Sequence, residues 1–364
     1  MTAIYCYPYR LPFAHSFTTA HGAMLVREGA IIELTTTQGL VGIGEIAPLP
    51  GFVGGTLADV LRLLPDATAC LQGKTLRDAF QWLDGVALPS ALQCGLEMAL
   101  FDVLGHCEQK PLASLLTSVA TQPRSAIAVN AVVGAPSTQA AVQEVQRAVQ
   151  AGFGCVKLKV GCMPSLVEEL ERVAAVRSAL GAAAHLRLDA NEAWTLEQAQ
   201  AVLTTCAGYD IQYIEQPLSR HDLRAMRQLR QAVTIPIAAD EAVGDLASAR
   251  IVIAAQAADI LVIKPQLCGG LRNAQRIIQA AEQRGVQCVI TTTIESGISL
   301  VAALHLAAAS PQVTLACGLA TAHLLADDLV LEPLAVQRGV LSVPQGVGLG
   351  VTLDRKALKQ YEMI

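Results

Sequence analysis

Residues 186–264 repeat one arrangement four times: Leu186-Arg187-Leu188-Asp189, Gln212-Tyr213-Ile214-Glu215, Ile237-Ala238-Ala239-Asp240 and Leu261-Val262-Ile263-Lys264. Each is a short apolar run closed by an ionisable residue, and the closing residues lie 26, 25 and 24 positions apart. That interval fits one strand, a loop, one helix and a loop back. Each run therefore reads as a parallel strand that delivers one charged side chain to a common rim. The candidate strands on either side extend the series: 127–133, 156–160, 186–189, 213–215, 237–240, 260–264, 289–293 and 314–317. Helical patterns fill the intervals, among them 166–180, 196–205, 223–232 and 270–285. Eight strands with helices between them in roughly 200 residues point to a closed β/α barrel. An open doubly wound sheet is the alternative, but no G-x-G-x-x-G follows any strand.

The first part of the chain has a different rhythm. Ala30–Thr37 and Leu40–Ile46 are apolar, β-branched runs split by Gln38-Gly39, the signature of a hairpin. Helical patterns follow at 56–71 and 89–105, the second with Leu92, Leu96, Met98, Ala99, Phe101 and Leu104 as its apolar face. Strands followed by helices make an α+β unit. Pro48-Leu49-Pro50-Gly51 reads as a rigid turn. Phe13–Met24, with Gly22 and small polar residues, reads as a lid.

With 364 residues and 52% hydrophobic content, the chain can bury a large core in two domains. Only 16% of residues are charged and the net charge is −5, without a basic stripe, so nucleic acid is not an expected partner. The ten cysteines are scattered, with no C-x-x-C, and read as buried thiols of a reducing cytoplasm. Met1–Arg10 lacks the basic-then-apolar order of a secretory signal. Residues 296–326 contain no Asp, Glu, Lys or Arg, but Ser310-Pro311-Gln312 interrupts them and His305 and His323 lie inside. A buried helix followed by a buried strand explains this better than a membrane span. A soluble, cytoplasmic protein without a membrane partner is expected.

At the C-terminal ends of barrel strands, Asp189, Glu215 and Asp240 form an oxygen-only ligand set. Hard carboxylates without His or Cys favour Mg²⁺ or Mn²⁺ over zinc. Any one of these acids alone could be a helix cap or a rim salt bridge; three in register are harder to explain so. Glu241 neighbours Asp240 and points to the opposite face if the strand continues. Asp240 is placed on the metal, and Glu241 is left as a supporting partner, for instance to a lysine. Lys157-Leu158-Lys159 puts two ammonium groups on one side of a strand, where their mutual repulsion lowers an amine pKa toward the range of a base. Lys264, four strands further round, projects from the opposite side. A small-molecule carboxylate on the metal would lie between two amines, an arrangement suited to removing the proton α to that carboxylate. Arg187, two residues before Asp189, either faces the cavity and assists a carboxylate or forms an interior salt bridge.

Lys157-Leu158-Lys159-Val160-Gly161, Asp189-Ala190-Asn191, Tyr213-Ile214-Glu215-Gln216-Pro217, Ala239-Asp240-Glu241 and Val262-Ile263-Lys264-Pro265 resemble the muconate-lactonizing subgroup of the enolase superfamily. The resemblance covers nearly the whole chain, with its five motifs in order. It implies a (β/α)7β TIM-like barrel at 123–328, an α+β capping domain at 1–122 and a C-terminal segment, 329–364, that returns to the cap. It also implies Asp189, Glu215 and Asp240 on Mg²⁺, with Lys159 and Lys264 as the acid/base pair. The His base of the mandelate-racemase pattern is missing; Thr291-Thr292-Thr293-Ile294-Glu295 stands on the seventh strand instead. Within the subgroup a dehydration is the expected reaction, with racemisation of N-acylamino acids or epimerisation of dipeptides as the alternative. Lactone formation, or a non-catalytic relative that only binds, is more remote. A dipeptide epimerase is expected to hold its substrate's amino group with an acidic pair after the last strands; Asp327-Asp328 sits a little late in the chain for that role.

Overall fold

The structure, a computed structural model, describes residues 1–19, 22–49, 55–117 and 121–363, and the backbone alone at 15–19, 22 and 23. Three antiparallel strands open the chain in the order β1 (Ala3–Thr19), β2 (Gly22–Thr35), β3 (Val41–Ile46). Strands β2 and β3 are the expected hairpin, and Gly39 turns it at φ 78°, a conformation cheap only for glycine. Strand β1 was not foreseen. Its Pro8 and Pro12 are tolerated because β1 is an edge strand, where a missing N–H faces away from the ladder. The expected lid at 13–24 falls on the distal ends of β1 and β2, where Phe17 pairs with Met24 after a register shift; residues 20 and 21 of it lie outside the described residues. So do residues 50 and 51 of the expected Pro48–Gly51 turn.

The expected helix at 56–71 divides into α1 (Leu57–Leu61) and α2 (Leu64–Leu71), because Pro65 has no N–H and can only begin a new first turn. Helices α3 (Leu76–Gly85), α4 (Ser90–Glu108) and α5 (Leu112–Leu116) complete this unit. Helix α4 lies directly on β3: a Cβ on Gly44 would stand 2.1 Å from the Gly95 carbonyl oxygen, so glycine is required for the contact.

The barrel follows. Strand β4 (Ala126–Ala128) precedes β5 (Ala131–Val133), α6 (Thr138–Gln150), β6 (Cys155–Lys159), α7 (Leu166–Leu180) and β7 (His185–Asp189). Then come α8 (Leu196–Thr205), β8 (Ile211–Glu215), α9 (Leu223–Ala232), β9 (Ile237–Ala239) and α10 (Leu246–Ala255). The series ends with β10 (Ile260–Ile263), α11 (Pro265–Cys268), α12 (Leu271–Glu282), β11 (Gln287–Ile290) and α13 (Gly297–Ala309). Strands β5 to β11 form a seven-stranded parallel sheet in chain order. Residues Cys317 and Gly318 fill the eighth position with two isolated parallel bridges, Val129 to Cys317 and Thr291 to Gly318. The expected strand at 314–317 is thus reduced to a closing contact. The expected strand at 127–133 is split: β4 leaves the ring and pairs antiparallel with β12 (Val340–Ser342). Beyond it, α14 (Arg355–Tyr361) ends against β1, where the Met363 N–H donates to the Pro8 carbonyl at 2.8 Å.

Apolar side chains of the strands and the surrounding helices form one continuous core, while Tyr213, Ala238, Ile260, Val262 and Val289 fill the barrel interior. Helix α13 is buried at all of its positions, as its uncharged sequence led us to expect. No helix among the described residues is long and apolar enough to cross a membrane. Six cysteines are buried, but Cys70, Cys107 and Cys162 are exposed and Cys6 is half-buried; all ten are free thiols.

His305, in the middle of α13, has a pH consequence. Its Nδ1 accepts the Ala113 N–H at 3.2 Å, so Nε2 carries the proton and donates to the Leu349 carbonyl at 2.9 Å. Burial pushes its pKa down from 6.5 to about 4. The unfolded chain therefore binds the extra proton between those values, and the contribution of His305 is full above pH 6.5 and lost as pH falls toward 4. The stability advantage of the wild type over His305→Gln, measured by urea unfolding, should shrink across that window by on the order of 3 kcal/mol. A pH-independent difference would contradict the assignment.

Candidate active site

Strand register brings the sequence-predicted residues together. Lys159, Asp189 and Glu215 are register partners across β6, β7 and β8, so their side chains share one face and one level. One level below, Lys157, Arg187 and Tyr213 are partners in the same way. Glu215 pairs with Ala238, which puts Asp240 just past the end of β9, and Lys264 directly follows β10. In a ring of eight positions, β6 and β10 stand opposite each other, so the two lysines approach the same opening from facing sides.

Charge is tightly matched here. Lys157 Nζ reaches up to Asp189 Oδ2 at 2.9 Å and Glu215 Oε1 at 2.8 Å. Lys159 Nζ stands 2.7 Å from Asp189 Oδ2, and Lys264 Nζ 2.6 Å from the Asp240 carboxylate. At Lys157 the expected depression does not occur. Burial works against the Lys157 ammonium, but Asp189 and Glu215 more than offset it and hold its pKa well above the lysine range. Burial likewise opposes the Lys264 ammonium, yet Asp240 and Glu241 raise its pKa. The reason is geometric: each ammonium rests on carboxylates rather than on the other ammonium. Burial pushes Glu215 up to about 8, with the Asp189 charge adding to it. Burial also raises Asp189, but Lys157 and Lys159 prevail and bring it below the usual carboxylate range.

Glu241 and Asp240 take different partners within the one cluster. Asp240 faces Lys264, whereas Glu241 Oε1 accepts from Asn191 Nδ2 at 2.9 Å. Asn191 Oδ1 in turn accepts from Lys159 Nζ at 2.6 Å, so Glu241 supports a lysine through an intermediary. Asn191 was not singled out from the sequence. The available signal was its place two residues after Asp189, at φ 42°, a left-handed conformation that asparagine tolerates. Gln216, at φ 36°, was missed too; its Oε1 accepts the Asp240 and Ala242 N–H groups. Arg187 follows neither expected course. It fills the barrel interior over the Tyr213 ring, 4.7 Å from its centroid, and donates to Gln212, Asn130 and the Ala316 carbonyl, all neutral oxygens. Asp327 and Asp328 are engaged elsewhere: Asp327 accepts from Tyr361 at 3.1 Å, and Asp328 accepts the Gly297 and Leu329 N–H groups at 2.7 Å each.

As the side chains stand, no group of three His, Cys, Asp or Glu among the described residues is closed around one point as for a metal ion. The donor chemistry nonetheless suits a hard divalent cation. A single ammonium, Lys157, already touches Asp189 and Glu215 together, so their oxygens are near enough to share one cation. Two surface cavities, of about 240 and 510 Å³, lie away from this cluster and have none of these lysines or acids in their walls. The register of the charged residues, not cavity size, marks the candidate site.

Residues 2–117 match the mandelate racemase/muconate lactonizing enzyme N-terminal domain, and residues 140–357 match the enolase C-terminal domain-like family. The chain belongs to the enolase superfamily, a family of enzymes. A hydrophobic dipeptide epimerase of Enterococcus faecalis is 31% identical over 94% of this chain and 97% of that protein. An o-succinylbenzoate synthase of Thermobifida fusca is 36% identical, over 60% of this chain and 67% of that protein. A crystal structure of the dipeptide epimerase from Enterococcus faecalis V583, complexed with Mg and the dipeptide L-Leu-L-Tyr, has a TM-score of 0.89 at 28% identity, covering 96% of this chain and 99% of that one.

Proposed function

We propose that the protein is a Mg²⁺-dependent enzyme that removes the proton α to a carboxylate. Its proposed reaction is that of o-succinylbenzoate synthase, a carbon–oxygen lyase of menaquinone or phylloquinone biosynthesis. It would dehydrate 2-succinyl-6-hydroxy-2,4-cyclohexadiene-1-carboxylate to 2-succinylbenzoate. The observation that carries the chemistry is the pair of facing amines, Lys159 and Lys264, each against a carboxylate of the same cluster. Asp189, Glu215 and Asp240 would hold Mg²⁺, or Mn²⁺, and the bound cation would stabilise negative charge developing on the substrate carboxylate.

Lys159, once neutral, takes the α-proton. Asn191, tied to Glu241, keeps its Nζ aimed at the opening. Lys264 remains cationic on the far side and favours the developing negative charge. The Lys159 ammonium then returns a proton to the β-hydroxyl; the C–O bond breaks, water leaves from the same face, and the ring becomes aromatic.

Epimerisation of dipeptides, or racemisation of N-acylamino acids, is the second reading, favoured by similarity to the dipeptide epimerase along nearly the full chain. There the two lysines would remove and return one proton on opposite faces. The test is to supply Mg²⁺ and the cyclohexadiene substrate and follow the benzoate product by ultraviolet absorbance. In parallel, dipeptides and N-succinylamino acids are incubated in D₂O. Product formation without deuterium at any amino-acid α-carbon is expected. Deuterium uptake without product would replace the dehydratase by an epimerase, and neither result would leave a binding protein.

A further inference from the structure

The chain that follows Lys264 is gripped by the N-terminal unit rather than by the barrel alone. Gln266, two residues on and buried, uses both ends of its amide. Its Oε1 accepts the Ala47 N–H at 3.1 Å, and its Nε2 donates to the Glu45 carbonyl at 2.7 Å and to Ser299 Oγ at 2.9 Å. Glu45 and Ala47 sit at the end of β3, so one side chain pins the start of α11 to the cap sheet.

The other end of α11 is pinned as well. Glu97, buried in the middle of α4, accepts the N–H groups of Leu271 and Arg272 through Oε2 and Arg272 Nε through Oε1. Those are the first N–H groups of α12, which lack partners within their own helix and attract negative charge. Approach is close: Gly270 stands at φ 114°, strained for any other residue, and a Cβ there would lie 2.3 Å from Glu97 Oε2, forcing that carboxylate to move. Helix α11 is a single turn of four residues, and Lys264 is its N-cap. It has little rigidity of its own, so its two clamps set its position. Lys159, by contrast, lies on the opposite side of the ring and takes its contacts from Asp189 and Asn191 of the barrel.

We infer that Gln266 and Glu97 are positioning residues for Lys264: the cap, through these two side chains, fixes where that ammonium stands opposite Lys159. This rests on the proposal that Lys264 acts on the substrate. Loosening the clamps should therefore impair one lysine and spare the other.

The test uses Gln266→Met, close in shape but unable to make the three hydrogen bonds, and Glu97→Gln, which keeps an acceptor but loses the charge. Hydrogen–deuterium exchange of the intact protein, read by mass spectrometry, needs no substrate. Amides of 264–272 should exchange about 10-fold faster in Gln266→Met, with those of 155–161 and 189–192 unchanged. In the activity assay kcat should fall about 10- to 100-fold, the scale of a small misplacement of a reacting group, while KM stays within about twofold. Glu97→Gln should move both readouts in the same direction by less, and it carries the test if Gln266→Met does not fold. Unchanged exchange at 264–272 with unchanged kcat would overturn the inference. So would acceleration spread evenly through the barrel, which would mark the residues as merely structural. Should the wild type turn over none of the substrates, the functional reading fails, and local exchange alone decides whether the cap holds the Lys264 segment.

Discussion

Lys159→Ala is expected to lower kcat by about 10³-fold or more, toward the upper end of what a positioned general base contributes. The same variant should bind Mg²⁺ at least as well as the wild type. Lys159 is no ligand in this account, and its ammonium stands 2.7 Å from Asp189 Oδ2, so removing it withdraws a competing positive charge from the cation site. Steady-state kinetics and calorimetric Mg²⁺ titration on one preparation separate the two effects. Substantial turnover in Lys159→Ala would remove the residue from the mechanism. A parallel loss of cation affinity would show that it shapes the site rather than moving a proton.

Asp189→Asn is the second large effect, and its pattern is the reverse. Asp189 is the hub of the cluster, touched by Lys157 at 2.9 Å and Lys159 at 2.7 Å, and 1% exposed at its side chain. Neutralising it leaves an amide where a hard cation needs a carboxylate. The loss of Mg²⁺ affinity should exceed the roughly 10- to 100-fold typical of altering a group that only supports a ligand, and activity should fall with it. The fold should persist, because Glu215 still meets Lys157 at 2.8 Å and is relieved of a neighbouring like charge. An unchanged melting temperature with lost cation binding is the expected result. Full cation affinity in Asp189→Asn would take this residue out of the ligand set.

The regular interval between Asp189, Glu215, Asp240 and Lys264 was readable because a β/α unit has a nearly fixed length, and several charged residues ending apolar runs in register have few structural excuses. Strand pairing in register then follows from the parallel sheet, as Lys159, Asp189 and Glu215 illustrate. Other features were less accessible. In β1, Tyr5, Tyr7, Tyr9, Leu11 and Phe13 alternate as a strand should, but Pro8 and Pro12 obscure the pattern, and only an edge position accommodates them. At the eighth barrel position a strand was expected where two bridges suffice, because closure needs contact on both sides rather than length.

Side-chain direction was the weakest inference. Arg187 shares its strand face with Asp189, yet lies one level deeper, where Tyr213 and neutral oxygens receive it. The Lys157 pKa runs against expectation for a related reason: its proximity to Lys159 in sequence said nothing of Asp189 and Glu215, on which its ammonium rests. The hold of Gln266 and Glu97 on the Lys264 segment joins residues about two hundred positions apart, beyond the reach of any local pattern.

The most direct test of the shared cation is anomalous diffraction from crystals grown with Mn²⁺. A single peak bonded to one oxygen each from Asp189, Glu215 and Asp240, with the Lys159 and Lys264 amines on either side of it, is the result this account requires. A peak that engages other residues, or fewer than three of these acids, would contradict it.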